Sequence, residues 1–90
     1  TVGVDVDRDG GAQTLAAIVA AGGSGIFIEA DVSRAEQVRH LIDATVAQYG
    51  RLDCAFNNAG IQGELCPTVD CSEENWDRIT GINLKGVWLC

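Results

Sequence analysis

Asn57 and Asn58 are the residues whose type and position most strongly suggest ligand binding. They directly follow an apolar run and precede the small residues Ala59 and Gly60. Asparagine amides beside a buried strand are costly unless they are hydrogen-bonded, and small residues allow the backbone to approach a ligand closely. The pattern favours a ligand-contacting strand end, although a plain Asn–Gly turn would also produce it.

Two aspartates follow other apolar runs in the same way. Asp5 closes the first run, and Asp31, with Val32 beside it, follows the second. In dinucleotide-binding folds, an acid at such a strand end accepts hydrogen bonds from ribose hydroxyls. It also repels a ribose 2′-phosphate, since two unit charges about 4 Å apart cost roughly 4 kcal/mol at an effective dielectric of 20. The alternatives are a turn aspartate at Asp5 and a loop-capping one at Asp31, and Arg8 keeps phosphate binding open.

Asn83 is a polar residue on the inward face of a predicted helix. Side-chain amides within helices also serve packing or bond to the preceding turn, so its position alone does not assign a function. The single histidine, His40, lies off the apolar stripe of its helix, and we expect it to be solvated.

Strands and helices alternate along the chain and must position these candidates. The apolar runs at residues 2–6, 25–30 and 52–56 are separated by helical patterns. Strand–helix–strand alternation predicts βαβ units and a parallel sheet covered on both faces. Ligands bind such sheets at the carboxyl ends of the strands, where Asp5, Asp31 and the two asparagines fall.

The predicted helices have recognisable ends. Gly22 and Gly23 end the first, because glycine readily adopts the conformation that closes a helix. Ser33 and Glu36 form a capping box for the second, which Gly50 ends. The predicted inner faces are Ala12, Leu15, Ala16, Ile18 and Val19 in the first helix and Val38, Leu41, Ile42, Thr45, Val46 and Tyr49 in the second.

A third helix follows a long connection, residues 57–71. Ser72 is its expected cap, and Glu73 and Glu74 suit the positive end of the helix dipole. Its predicted inner face consists of Trp76, Ile79, Asn83, Gly86, Val87 and Cys90.

Composition excludes several classes of protein. The hydrophobic fraction of 47% and charged fraction of 21% are those of a globular domain. A net charge of −7 with scattered basic residues argues against nucleic-acid binding. No apolar stretch reaches the roughly 18 residues needed to span a bilayer, and we see no signal peptide. We therefore expect a cytoplasmic protein with no membrane partner.

Four cysteines are present, and no pair has the C-x-x-C spacing of a metal or redox site. We expect reduced thiols and no metal site. Cys54 is predicted to be a buried small hydrophobe, whereas Cys66 and Cys71 flank a short loop and could approach each other.

Five elements in order resemble the short-chain dehydrogenase/reductase family. They are V-D-V-D-R-D-G-G at 4–11, A-D-V-S at 30–33, R-L-D-C-A-F-N-N-A-G at 51–60, S-E-E-N-W-D-R at 72–78 and I-N-L-K-G-V-W at 82–88. The resemblance covers essentially the whole chain. It implies an α/β fold of the Rossmann type, with a doubly wound parallel sheet, of which residues 1–90 are a partial NAD(P)-binding domain. In family terms the segment runs from the second strand to the start of the fifth helix.

The resemblance also implies roles for particular residues. Asp5 resembles the acid that selects NAD over NADP, with Val6 beside the adenine, and Asp31 and Val32 resemble the adenine-contacting pair. The segment Asn58, Ala59 and Gly60 resembles the contacts along the cofactor ribose, and Asn57 helps to hold the sheet. Asn83 resembles the helix asparagine of the catalytic tetrad, which supports a water in a proton relay. The expected chemistry is hydride transfer between NAD(H) and an alcohol or ketone, by a homo-oligomer.

Departures from the family pattern limit that expectation. No G-x-x-x-G-x-G pyrophosphate loop and no Tyr-x-x-x-Lys pair occur in these residues, and Tyr49 belongs to an apolar stripe. The family strand order 3-2-1-4 would leave an empty slot between residues 2–6 and 52–56. We expect that 90 residues alone cannot form the family sheet, because buried backbone groups along that slot would lack partners. A non-catalytic dinucleotide-binding module and an inactive truncated fragment are the alternatives to an enzyme.

Overall fold

Two parallel strands and a series of helices make up the fold in the computed structural model, which describes residues 1–90. Strand β1 spans Val2–Asp5 and strand β2 spans Ile26–Glu29. Helix α1, Arg8–Ala20, connects them, and helix α2, Ala35–Tyr49, follows. After a connection with one 3₁₀ turn, the last elements are α3 at Glu73–Thr80, a π-helical turn at Gly81–Gly86, and α4 at Val87–Leu89.

The register of the two strands places two acids side by side. Val2 pairs with Ile26, and at the carboxyl end Asp5 pairs with Glu29. Helix α1 packs on both strands and approaches them closely at Gly11, where a Cβ would overlap the ring of Phe27. The buried side of α1 is therefore Gly11 with half-buried Leu15 and Ile18. The prediction was wrong for Ala12, Ala16 and Val19, which are exposed, because α1 packs against Phe27 through Gly11.

The ends of α1 and α2 show which local predictions hold. Gly22, with φ of 81°, and Gly50, with φ of 76°, close the two helices as expected. The capping box at Ser33 was wrong, since α2 begins after Arg34 and has no side-chain cap. The Ser33 hydroxyl instead donates to Asp31 Oδ1 at 2.7 Å, which removes it from the helix end. The stripe of α2 is confirmed at its centre, where Val38, Leu41 and Thr45 are buried.

The third helix begins as predicted but faces inward with different residues. Ser72 Oγ accepts a hydrogen bond from Asn75 N at 3.1 Å, which confirms the cap. Trp76 was predicted inside but is 63% exposed, whereas Asn75 is 4% exposed. The inward face is therefore shifted by one residue, and it continues through half-buried Ile79 to buried Gly86. Asn83, Val87 and Cys90, also predicted inside, are exposed.

Residues 52–56 do not form the predicted third strand. The sheet has only two strands, and the predicted strand makes no sheet hydrogen bonds. Phe56 is 92% exposed and Cys54 is exposed, so the prediction of a buried Cys54 was wrong. A strand needs a neighbour to bond its backbone groups, and no strand lies beside this segment.

The molecule exposes much of its surface. Its solvent-accessible area is 6726 Å², whereas a folded monomer of this mass exposes about 5000 Å². No helix combines the length and the apolar character required to cross a membrane.

Candidate dinucleotide site

A cleft of about 990 Å³ lies between β1 and the extended segment that follows α2. Its lining includes Asp5 at the end of β1 and Val6 after it, Asp31 and Val32 after β2, and residues 57–61. All of the residues predicted to contact a cofactor therefore border one space. For Asp5 and Asp31 the sequence could predict this convergence, because parallel strands present their carboxyl ends at the same edge. Residues 57–61 follow a segment that forms no strand.

Asp5 holds its own turn and keeps an exposed carboxylate. Its Oδ1 accepts the backbone N–H of Asp7 at 3.0 Å. Asp7 in turn caps α1, since its Oδ1 accepts from Asp9 N and Gly10 N, each at 3.1 Å. Asp5 is thus both the turn aspartate that the sequence allowed and an acid presented to the cleft. The two roles are compatible because a carboxylate has several acceptor positions.

Arg8, the residue that kept phosphate binding open, is engaged by Glu29. Arg8 Nε donates to Glu29 Oε2 at 2.8 Å, and Nη2 lies 2.6 Å from the same oxygen. Glu29 stands opposite Asp5 in the sheet register. The guanidinium therefore offsets the repulsion between two neighbouring acids. The pair is exposed, so its contribution to stability is small, about 0 to 1 kcal/mol.

Asp31 organises the loop between β2 and α2. Its Oδ1 accepts both the hydroxyl of Ser33 at 2.7 Å and the backbone N–H of Ser33 at 2.9 Å. The hydroxyl hydrogen bond, with help from the backbone N–H and Arg34, holds the pKa of Asp31 below its ordinary value despite partial burial. Asp31 therefore stays charged at neutral pH, as a loop-capping acid that also lines the cleft.

Val32 lies between the cleft and the third helix. Its Cγ2 is so close to Gly86 that a Cβ on that glycine would approach it to 2.8 Å. Gly86 thus allows the π-helical turn to pack against the segment that follows β2, which fixes Val32 at the edge of the cleft.

Asn83 does not line the cleft but holds one of its edges. Its Oδ1 accepts Ile61 N at 2.8 Å, and its Nδ2 donates to Ile61 O at 2.9 Å. The side-chain amide thus pairs reciprocally with both backbone groups of Ile61, as a neighbouring strand would. Gly60 lies beside this pair, since a Cβ there would come within 3.4 Å of Asn83 Oδ1. In this structure Asn83 is a positioning residue for the Asn58–Gly60 segment.

The sequence pattern did not single out Asn75, which makes a second pairing of the same kind. Its Oδ1 accepts Glu64 N at 3.1 Å, and its Nδ2 donates to Glu64 O over a longer 3.4 Å. The signal in the sequence was the spacing of four residues between Asn75 and Ile79, which places both on one face of the helix. The predicted inner face placed Trp76 there instead, one residue away.

The residues present fit the adenosine half of a dinucleotide. Asp5 offers an exposed acceptor, and Val6, which is 64% exposed, offers apolar surface next to it. Residues 58–60 carry only small side chains after Asn58, so their backbone is accessible from the cleft. Such a combination of an acid and apolar edges suits a ribose and an adenine ring.

Comparisons with known proteins match the whole chain to one family. The family profile described as enoyl-(acyl carrier protein) reductase matches residues 1–90. A short-chain dehydrogenase/reductase, astE, of Aspergillus oryzae is 43% identical over 81 residues, which are 89% of this chain and 31% of the relative. Levodione reductase of Leifsonia aquatica is 39% identical over 88 residues, 96% of this chain and 33% of that protein.

Solved structures share the fold. A short-chain dehydrogenase/reductase of Burkholderia phymatum, crystallised in complex with NAD, matches 98% of this chain and 31% of its own with a TM-score of 0.92 and 35% identity. The chain spans about a third of the length of the relatives it matches. The two parallel strands and the helices of this chain therefore form part of a Rossmann-type fold. Because the family match extends over every residue and the fold agrees with solved members, the chain belongs to the short-chain dehydrogenase/reductase family.

Proposed function

We propose that the protein containing this segment is an oxidoreductase that transfers a hydride between NAD(H) and an alcohol or ketone. The observation that carries the proposal is the convergence of Asp5, Asp31 and the Asn58–Gly60 segment on one cleft. Bound NAD(H) would supply the nicotinamide ring that donates or accepts the hydride. In this proposal the residues of this chain bind and orient the cofactor.

Each element has a definite task in this proposal. Asp5 accepts hydrogen bonds from the adenosine ribose, and Val6 and Val32 border the adenine. The backbone of Asn58, Ala59 and Gly60 runs along the cofactor, held in place by the pairing of Asn83 with Ile61. Asn83 remains our candidate for the catalytic asparagine, through its position beside this segment.

NAD rather than NADP is the proposed cofactor because the end of β1 is acidic. Asp5 and Glu29 are adjacent in the sheet, and the guanidinium of Arg8 is bound to Glu29. A 2′-phosphate would meet two carboxylates and would have to displace the guanidinium. The relative from Burkholderia phymatum, described as bound to NAD, is in keeping with this choice.

We further propose a homo-oligomer that pairs through the outer face of the third helix. Trp76, Leu84 and Trp88 are 63%, 70% and 78% exposed and follow one another at intervals of eight and four residues. Large apolar side chains grouped on a surface are typical of an interface. A cytoplasmic location is in keeping with the four free thiols, and the partners are small alcohols or carbonyl compounds.

The test is a turnover and binding assay on the full-length protein. We expect NADH oxidation with a ketone such as ethyl acetoacetate, followed by absorbance at 340 nm, and a rise in melting temperature with NADH. Saturable NADH binding without turnover of any ketone or alcohol in a broad panel would favour a binding module. No shift in melting temperature would favour a fragment that binds no dinucleotide and would contradict the proposal.

A further inference from the structure

Two asparagines on the same helix face make the same unusual contact with one loop. Asn83 pairs with both backbone groups of Ile61, and Asn75 pairs with both backbone groups of Glu64. Each amide mimics a neighbouring strand, so the loop that follows Gly60 is bonded as if it lay at the edge of a sheet.

The lengths of the two partners match. Asn75 and Asn83 are eight residues apart, which is about 12 Å along a helix at 1.5 Å per residue. Ile61 and Glu64 are three residues apart, which is about 10 Å along an extended chain. The loop therefore runs antiparallel to the helix and is hydrogen-bonded to it at both ends.

The π-helical turn aligns the two asparagines. In a straight α-helix, residues eight apart are about 80° out of line, because each residue turns the helix by about 100°. Gly81–Gly86 is wound with wider turns, which rotate less per residue and return Asn83 towards the face of Asn75. Both amides can then reach the same loop.

Asn75 is built into its position. The residue is 4% exposed, its backbone N–H is held by Ser72 Oγ at 3.1 Å, and its Nδ2 also lies 3.6 Å from Cys71 Sγ. Gly63, between the two fastened residues, lies so close to the helix that a Cβ would meet Ile79 Cδ1 and, at 2.7 Å, Asn75 Oδ1. Ile61, Gly63 and Glu64 thus all lie close to the helix.

We propose that Asn75 is a positioning residue that sets the substrate side of the site. Asn83 fixes the end of the loop next to the cofactor-binding residues 58–60, and Asn75 fixes the end that leads away from them. Loss of Asn75 frees the outer half of the loop and leaves the cofactor half in place. This role rests on the proposed oxidoreductase function, whereas the hydrogen bonds between Asn75 and Glu64 do not depend on it.

The experiment compares Asn75→Ala, Asn75→Asp and a control, Asp77→Ala, in the full-length protein. Asp77 is exposed, lies on the same helix and makes no side-chain hydrogen bond. Amide hydrogen exchange should rise at least about tenfold at Glu64 in Asn75→Ala and stay unchanged at Ile61. Asn75→Asp retains the acceptor for Glu64 N and should restore part of that protection, and the control should match the wild type.

Kinetics then separate a positioning role from a merely structural one. With ethyl acetoacetate as the ketone probe, Asn75→Ala should raise KM several-fold while kcat and the NADH dissociation constant stay within about twofold. If Asn75→Ala left the exchange rate at Glu64 unchanged, or raised the rates at Glu64 and Ile61 equally, the proposed role of the Asn75–Glu64 pair in holding the loop would be wrong. If Asn75→Ala raised the NADH dissociation constant by the same factor as the KM for the ketone, the substrate-side role would be wrong. A wild type that binds no NADH would refute the proposed function, and the exchange data would still decide the role of the Asn75–Glu64 pair.

Discussion

The side-chain amide of Asn83 and the backbone of Ile61 form a reciprocal pair, with distances of 2.8 Å and 2.9 Å. This pair connects the third helix to the residue that follows the Asn58–Gly60 segment. Asn83 therefore positions the backbone of Ile61, a role that does not depend on any proton relay.

Replacing Asn83 by alanine should disturb the cofactor half of the site. Ile61 N and O would lose their partners, and each such hydrogen bond contributes about 0.5 to 1.5 kcal/mol net. We expect faster hydrogen exchange at Ile61 and an NADH dissociation constant raised several-fold, as measured by titration of the full-length protein. Normal NADH affinity together with fast exchange at Ile61 would show that the pair does not support the cofactor site.

Gly63 should not tolerate a side chain. A Cβ there would meet Ile79 Cδ1 and the Oδ1 of Asn75 that already accepts Glu64 N. We expect Gly63→Ala to lower the free energy of unfolding of the full-length protein by about 1 to 3 kcal/mol. Denaturant titration measures the change.

Gly81 provides the matched control for that substitution. A Cβ on Gly81 would contact nothing within 4 Å, and its φ of −59° suits any residue. Gly81→Ala should therefore leave stability unchanged or raise it by up to about 1 kcal/mol. If both substitutions destabilised equally, steric crowding at Gly63 would not be the reason.

Glu29 should contribute to cofactor choice. Glu29→Gln removes one of two adjacent acids and releases Arg8 from its ion pair. We expect NADPH to bind several-fold more tightly to Glu29→Gln than to the wild type, with NADH binding unchanged, since the freed guanidinium can then meet a 2′-phosphate. Asp43→Asn, an exposed acid on α2, is the control and should alter neither affinity. No gain in NADPH affinity would contradict this role for Glu29.

The isolated 90-residue chain should not unfold in a sharp transition. Only seven residues are buried, and residues 52–56 lack sheet partners. Folding of this segment therefore withdraws little apolar surface from water, and the hydrophobic contribution to its free energy of unfolding is small. Thermal unfolding of the purified 90-residue monomer, followed by far-UV circular dichroism, should be broad, and a sharp two-state melt would contradict this expectation.

Local signals in the sequence predicted much of this structure. The two glycine helix ends, the cap at Ser72, the centre of the α2 stripe and the strand-end positions of Asp5 and Asp31 follow from neighbouring residues alone. Ser33 was misjudged because Asp31 competes for its hydroxyl, a contact that the capping-box pattern does not contain.

The rest depended on contacts between distant parts of the chain. A regular helical period placed Trp76 inside and gave no sign of the π-helical turn, so Asn75 was overlooked. Residues 52–56 have the composition of a strand, but sheet bonds require a neighbour. Asn83 was assigned a role through the family resemblance, while its partner Ile61 could be seen only in the folded chain.

The most direct test of the central claim is the pair of dissociation constants for NADH and NADPH, measured on the full-length wild type and on Asp5→Ser. We predict that the wild type binds NADH at least about tenfold more tightly than NADPH, a difference of about 1.4 kcal/mol. The Asp5→Ser variant should lose most of that preference. Equal affinities in the wild type, or a preference that survives in Asp5→Ser, would contradict an NAD(H) site built on Asp5.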